Sequence, residues 1–519
     1  MTGPAGGGRH TGPVGPADGA ADTEHLDVVI VGAGLSGIGA AYRLQTECPE
    51  RRYVILEARD SIGGTWDLFR YPGIRSDSDM FTLGYPFKPW RDPKAIADGP
   101  AILSYLRETA AEFGIDRQVR FRTRVLGADW SSAEARWTLD LEEHRPDGRA
   151  VRRSLTCNFL YSCAGYYDYE HPHAPVFEGV DDFDGDVVLP QFWPEGLDYA
   201  GKQVVVIGSG ATAVTLVPAM VSGDRAAAHV TMLQRSPTWI AAVPGRDRHA
   251  DRLRELLPPR LAHRLIRGKN VLFNIAFYQF CQRWPGLAGR LILGQSARRL
   301  GDPQLVADHF TPDYKPWDQR FCAIPDADLF TAIRRGRAEV VTDHVDRFVP
   351  EGIRLRSGRV LPADLVVSAT GLTLRTFGGI APSVDGRPVE LSEQFVWRGA
   401  MVTGLPNFAV CVGYTNASWT LRADLSSRLV CKVLDYMDRK DYAAVVPRPD
   451  GPLEKRPLLD LQSGYVKRSI ADFPRQGHRG PWRVRQNYLL DRALTLRGDF
   501  ARTLHGTPRS AVRLRRAVA

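Results

Sequence analysis

Apolar residues fall into three kinds of run along this chain. Short unbroken runs at Leu26–Val31, Tyr53–Leu56, Val204–Ile207, His229–Leu233 and within Asp364–Gly371 predict strands buried on both faces. From about Val119 to Cys163 apolar and polar residues alternate instead, through RWTLDL and FLYSCAG, with a turn signal at Pro146-Asp147-Gly148. That pattern predicts a small antiparallel meander. Residues 245–320 follow a helical period and are rich in aromatics, LFNIAFYQFCQRW being their most apolar part. They read as an insertion, with core packing the default and a pocket cover or a membrane-surface contact the alternatives.

Two of the unbroken runs end in glycine-rich turns. The first, Gly32-Ala33-Gly34-Leu35-Ser36-Gly37, opens a helix whose early residues include Gly39, Ala40 and Ala41. The next strand closes on Glu57, twenty residues after Gly37. Strand, turn, helix and acid in that order form a dinucleotide fingerprint. Glycines permit the turn and the close approach, the helix N-terminus receives the pyrophosphate, and the acid takes the ribose hydroxyls. The second turn, Gly208-Ser209-Gly210-Ala211-Thr212-Ala213, has Ala where the last glycine stood, and its next strand ends at Gln234-Arg235-Ser236 with no acid. An arginine there suits a 2′-phosphate that an acid would repel, so the second site is expected to take NADPH. The bland reading of Arg235 is a solvated strand end.

The expected fold is therefore α/β, with two Rossmann-like dinucleotide-binding domains and a helical insertion. Residues 25–165 are assigned to a first, FAD-binding part, 183–364 to an NADP-binding domain carrying the insertion at about 245–320, and 365–490 to the second FAD-binding part. Residues 1–24 read as a disordered Gly- and Pro-rich tail and 491–519 as a basic, solvated C-terminal tail. The strand before Gly371 is expected to bring the chain back from one nucleotide domain to the other.

Bulk properties narrow the class. The 519 residues are enough for two or three domains with sizeable cores, and no apolar run is long enough to span a bilayer. Seven cysteines without a CxxC pair argue against a disulfide framework or zinc site and fit a reducing cytoplasm. His171-Pro172-His173 reads as a Pro-rich turn rather than a metal site, so no metal is expected. The net charge of +9 comes with no nucleic-acid recognition module, and no nucleic-acid partner is expected.

Two dinucleotide sites in one chain imply an internal hydride relay, in which NADPH loads a flavin and the reduced flavin acts on the substrate. Disulfide reductases complete that relay with a close cysteine pair, which the sequence lacks. Monooxygenases complete it with dioxygen in a site closed to water. The segment Gly63–Asp77 fits the pattern GGxWxxxxYPGxxxD without a mismatch, and Phe183–Pro194 fits FxGxxxHxxxWP except that Leu189 stands at the histidine. Both resemble the fingerprints of type I Baeyer–Villiger monooxygenases. The resemblance extends over about residues 24–495, through YPGIRSDSDMFTLG, VVIGSGATAVTLVPA, QRSPT, YKPWDQR and VGYTNASWTLRADL, and is nearest the ethionamide-activating branch.

The resemblance implies a flavin C4a-peroxide that attacks a ketone to give an ester or lactone, with thioethers or thioamides as further substrates. It implies Arg320 as the active-site cation and Asp77 as the carboxylate that orients it, against the plainer readings of a surface ion pair and a turn residue. Gly64, Thr65, Trp66 and Asp77 would belong to the FAD side, and Gly208, Gly210, Thr212, Arg235 and Ser236 to the NADPH side. Trp66 serves equally as plain core, and Thr212 as a helix cap. Leu189 offers neither donor nor acceptor where the family has an imidazole in the interdomain link. Three outcomes stay open there: an enzyme that leaks peroxide, an NADPH oxidase, or adapted neighbours with normal coupling. An N- or S-oxygenating flavoprotein and a non-catalytic flavin-binding redox protein are the rival readings. The expected partners are dioxygen and a small apolar ketone or sulfur compound, with peripheral membrane contact possible.

Overall fold

The structure, a computed structural model, describes residues 23–497 and 499–518. The expected disordered tail lies outside these residues apart from Thr23 and Glu24. Two sheets carry the two glycine turns. In the first, His25–Val31 lies between Tyr53–Leu56 and Ala150–Ser162, parallel to both. The long strand Ala150–Ser162 has two further partners besides His25–Val31. Its first half runs antiparallel to Arg136–His144, whose other neighbour is Thr123–Ser131, so the alternating region is the expected meander. Its last residues, Leu160–Ser162, pair in parallel with Phe408–Val410, brought from far along the chain.

The second sheet is parallel throughout, in the order Ala338–Thr342, His229–Gln234, Gln203–Ile207, Leu365–Ser368, Asp186–Val188. Here the reading of residues 365 onward needs correction. Leu365–Ser368 was expected to open the returning FAD-binding part, yet it is an interior strand of this second sheet. The reason is its composition: Leu365, Val366 and Val367 are fully buried, with Leu365 and Val367 in the core on one face of the sheet and Val366 in the core on the other, as an interior strand covered on both faces requires. The chain goes back to the first sheet only after Ser368.

The C-terminal region differs from a solvated tail. Leu504–Pro508 pairs antiparallel with Tyr442–Pro447, and Phe500, Leu504 and Val512 are buried. Asp491 is buried on helix Tyr488–Arg497, where it accepts from Arg422 Nη1 at 2.6 Å and from the Tyr414 hydroxyl at 2.8 Å. The basic residues hid these few inward-facing positions. The insertion is helical as expected, with helices Arg248–Leu256, Pro259–Arg283, Pro285–Leu300 and Pro303–His309. No helix among the described residues is long and apolar enough to cross a membrane.

Candidate active site

Both glycine turns open on one cleft of about 870 Å³. Parallel strands put their following turns at the carboxyl edge of a sheet, and here two such edges face each other. Gly32 takes φ +101° and has the carbonyl oxygen of Cys163 where a Cβ would come within 2.8 Å. At Gly37 a Cβ would stand 1.9 Å from the Gly32 oxygen, so the helix Leu35–Glu47 sits on its strand only because that residue is glycine. A Cβ on Gly34 would meet nothing nearer than Gly64 Cα at 3.6 Å, and one on Gly210 nothing within 4 Å. These two glycines therefore leave space at the cleft rather than relieve a clash.

Helices Leu35–Glu47 and Ala211–Met220 begin at Gly34 and Gly210 with no side-chain cap. Elsewhere Asp98, Asp247 and Asp302 cap helix starts by accepting from first-turn amides. The two cleft-facing helix starts keep their N–H groups available for an anion, which is the arrangement that a pyrophosphate requires. Thr212 does not cap its helix; it lies beside the Tyr71 hydroxyl. Burial pushes that hydroxyl up to about 12.

Glu57 is buried at the cleft. Its two oxygens accept from Ala33 N at 2.7 Å and Arg59 N at 2.9 Å, which ties the end of the second strand to the first turn. Burial pushes its carboxyl up, and the two amide donors oppose that. Each oxygen has capacity to accept a further hydrogen bond. Across the cleft Arg235 and Ser236 are exposed at the end of strand His229–Gln234. The Ser209 hydroxyl donates to the Ser236 carbonyl at 3.0 Å and lies 3.0 Å from Thr238 Oγ1, holding this edge to the second turn. Arg235 has no carboxylate partner among the described residues.

Arg320 and Asp77 meet across 243 positions of sequence. Arg320 Nε donates to Asp77 Oδ2 at 2.8 Å, its Nη2 donates to the same oxygen, and its Nη1 donates to the Thr415 carbonyl at 3.2 Å. Asp77 raises the guanidinium's affinity for its proton, so the cation is permanent at any working pH. Its loop is strained: Trp317 adopts φ +77°, a region that bulky side chains rarely enter. The Trp317 ring stacks on Phe321 at 5.3 Å and meets Tyr278 edge-on at 5.8 Å, and these contacts hold the turn.

Of the residues singled out in the sequence, Gly32, Gly34, Glu57, Gly64, Thr65, Trp66, Asp77, Gly208, Gly210, Thr212, Arg235, Ser236 and Arg320 line this one cleft. Gly37 lies behind it. Trp66 does both things expected of it, lining the cleft and packing on the main core. Sequence reasoning missed an aromatic wall of Tyr166, Tyr167, Trp419 and Tyr465. The Tyr166 ring stands 4.7 Å from Tyr167 and 5.1 Å from Trp419, whose Nε1 donates to Ser36 Oγ at 2.8 Å. The only signal was the pair of tyrosines directly after the small-residue turn Cys163-Ala164-Gly165. His171, from the HxH segment, sits with Asp168 and Glu170, and their charge is met by Arg124 and Arg375.

Two sheets, each opening a glycine turn from a parallel strand onto a shared cleft walled by a half-buried cation–carboxylate pair, define a two-dinucleotide flavoprotein oxidoreductase. Residues 30–93 match the NAD(P)-binding Rossmann-like domain family. The chain is 53% identical over 92% of its length to the FAD-containing monooxygenase EthA of Mycobacterium tuberculosis, covering 96% of that protein. It is 47% identical to the putative FAD-containing monooxygenase MymA of the same organism, over 91% of this chain and 95% of that one. Among solved structures, oxidized steroid monooxygenase bound to NADP superposes with a TM-score of 0.66 at 25% identity, over 82% of this chain and 88% of that one. The chain belongs to the FAD-containing monooxygenase family.

Proposed function

We propose that this enzyme binds FAD at the first glycine turn and NADPH at the second, and inserts oxygen beside the carbonyl of an apolar ketone to give an ester or lactone. The observation that carries this reading is the Arg320–Asp77 pair in the wall of the cleft that both turns share. Bound flavin supplies the chemistry that a protein lacks, taking a hydride from NADPH and activating dioxygen. Gly32, Gly34, Gly64 and the uncapped helix start hold its pyrophosphate, and Glu57 accepts from its ribose. On the other side Gly208 and Gly210 admit the nicotinamide dinucleotide, and Arg235 with Ser236 takes its 2′-phosphate.

Arg320 supplies a fixed positive charge where oxygen becomes anionic during transfer. A preset cation in a site poor in water stabilises that charge with no rearrangement at the moment of reaction. Asp77 and the Thr415 carbonyl hold three of the guanidinium's donors in place. The aromatic wall keeps water away from the reacting oxygen. Sulfur is a soft nucleophile and needs no anionic oxygen, so thioethers and thioamides form a second substrate class that leans less on Arg320.

Arg320→Ala tests the reading. Ketone oxidation should fall about 10²–10³-fold in kcat/KM while sulfide oxidation falls much less. Unchanged ketone oxidation in the variant would remove Arg320 from the mechanism. Wild-type enzyme that oxidises sulfides but no ketone would make the protein an S-oxygenase.

A further inference from the structure

The helical insertion shows two opposite faces. On helix Pro259–Arg283 the residues Ala262, Ile266, Arg267, Val271 and Cys281 are buried. Arg267 Nη1 donates to the carbonyls of Phe81 and Gly84 at 2.8 and 2.7 Å, which fixes the helix on the first sheet's side of the molecule. Phe277 packs edge-on against Phe321 at 5.8 Å, next to Arg320.

The outer face is apolar and open. Leu261, Leu265 and Leu272 lie one above another at helical spacing, with Leu272 57% and Phe273 64% exposed. At the corner into helix Pro285–Leu300, Trp284 is 54% exposed and Leu291 59% exposed, four residues after the exposed Leu287. Such large side chains normally lie inside, and a row of them over two helices marks a contact surface.

Charge identifies what it contacts. No Asp or Glu occurs between Glu255 and Asp302. Within that stretch Arg260, Arg264, Arg283, Arg290 and Arg298 are exposed, and none makes an ion pair among the described residues. A second copy placed on this face about a twofold axis would set these arginines against their own equivalents, with no carboxylate from the segment to meet them. An anionic leaflet meets all of them at once while the Leu, Phe and Trp side chains enter the acyl boundary.

We propose that helices Pro259–Arg283 and Pro285–Leu300 dock the enzyme on the surface of an anionic lipid bilayer, through Leu261, Leu265, Leu272, Phe273, Trp284 and Leu291 with the unpaired arginines around them. The helices lie along the interface and do not cross it.

Flotation of the flavin-loaded full chain with vesicles tests this. Vesicles of phosphatidylcholine and phosphatidylglycerol should carry the protein, vesicles of phosphatidylcholine alone should not, and raised salt should release it. Each arginine reaching an anionic leaflet is worth about fivefold in partitioning. Arg264→Glu with Arg290→Glu should therefore reduce binding by more than about tenfold, and Leu272→Glu with Phe273→Glu should abolish it. Both pairs lie outside the cleft, so flavin content and NADPH-driven oxygen uptake without vesicles should match wild type, which shows that the fold is intact. No binding of wild-type protein to anionic vesicles overturns the proposal. Binding that both variants leave unchanged overturns it too. A dimer seen by light scattering and split by Leu272→Glu with Phe273→Glu, without vesicle binding, would give the face to a second copy.

Discussion

Two glycines three positions apart do different work, and substitution separates them. At Gly37 an added Cβ runs into the Gly32 oxygen at 1.9 Å, so Gly37→Ala must lift the helix from its strand. The expected loss is about 3 kcal/mol, read as a lower unfolding midpoint. Gly34 has an extended backbone and open space, so Gly34→Ala should fold within about 1 kcal/mol of wild type yet lose bound flavin, because the methyl group fills the approach to the pyrophosphate. A Gly34→Ala protein that retains flavin at wild-type affinity would refute the close-approach role. At this scale the sequence was highly legible, since glycine spacing encodes backbone geometry within a few residues. Tyr166, Tyr167 and Tyr465 were not legible, because their place in the wall depends on contacts between segments 300 residues apart, and tyrosine is at home in any core.

Gly63 and Gly64 precede the short helix Thr65–Leu68, which is pinned by its own buried acid. Asp67 accepts from Arg59 Nη2 at 2.5 Å, Ser61 Oγ at 2.6 Å and Arg107 Nη2 at 3.0 Å. Burial pushes this carboxyl up, but the Ser61 hydroxyl and the Arg59 guanidinium outweigh it and hold it below the usual carboxylate range. A depressed folded pKa stabilises above the unfolded value of about 4 and ceases to do so as pH falls through the folded one. Acid should therefore loosen this element only below about pH 4, and Asp67→Asn should remove part of that acid sensitivity while costing about 2 kcal/mol at neutral pH. Unfolding midpoints of both proteins against pH check this; parallel curves would exclude Asp67 as a contributor. Among elements, runs with one period were legible: unbroken apolar runs became parallel strands and alternating ones the meander. The C-terminal strand and its flanking helices were not, because Phe500, Leu504 and Val512 are too sparse among arginines to show a period.

Across the whole molecule, the chain crosses between its two sheets twice, and Leu189 follows the first strand of the second sheet that the chain enters after the first crossing. Leu189 is half-buried just after strand Asp186–Val188, and nearby the buried Gln191 donates from Nε2 to the Asp168 carbonyl at 2.8 Å. This side-chain bond ties the second sheet's edge to the link, while the leucine side chain has no polar atom to contribute. If the sheets shift between flavin reduction and oxygen transfer, an imidazole here strengthens the link, so Leu189→His should raise product formed per NADPH consumed. An unchanged or lower ratio would show that the neighbours compensate for leucine. The crossings also set an order in time. Every strand of the second sheet is synthesised by Ser368, between Asp186 and that residue, so it forms from one continuous stretch. The first sheet begins at His25 but waits for Phe408–Val410 to complete its edge, and the helix Leu35–Glu47 waits for Trp419–Arg439, which packs on it and joins it through Arg43 and Asp424. At about 5–20 residues per second, the ribosome leaves the helix Leu35–Glu47 and the end of strand Ala150–Ser162 without their final partners for tens of seconds. The half of the protein made first is therefore the half finished last, and it is the half most in need of chaperone protection during synthesis.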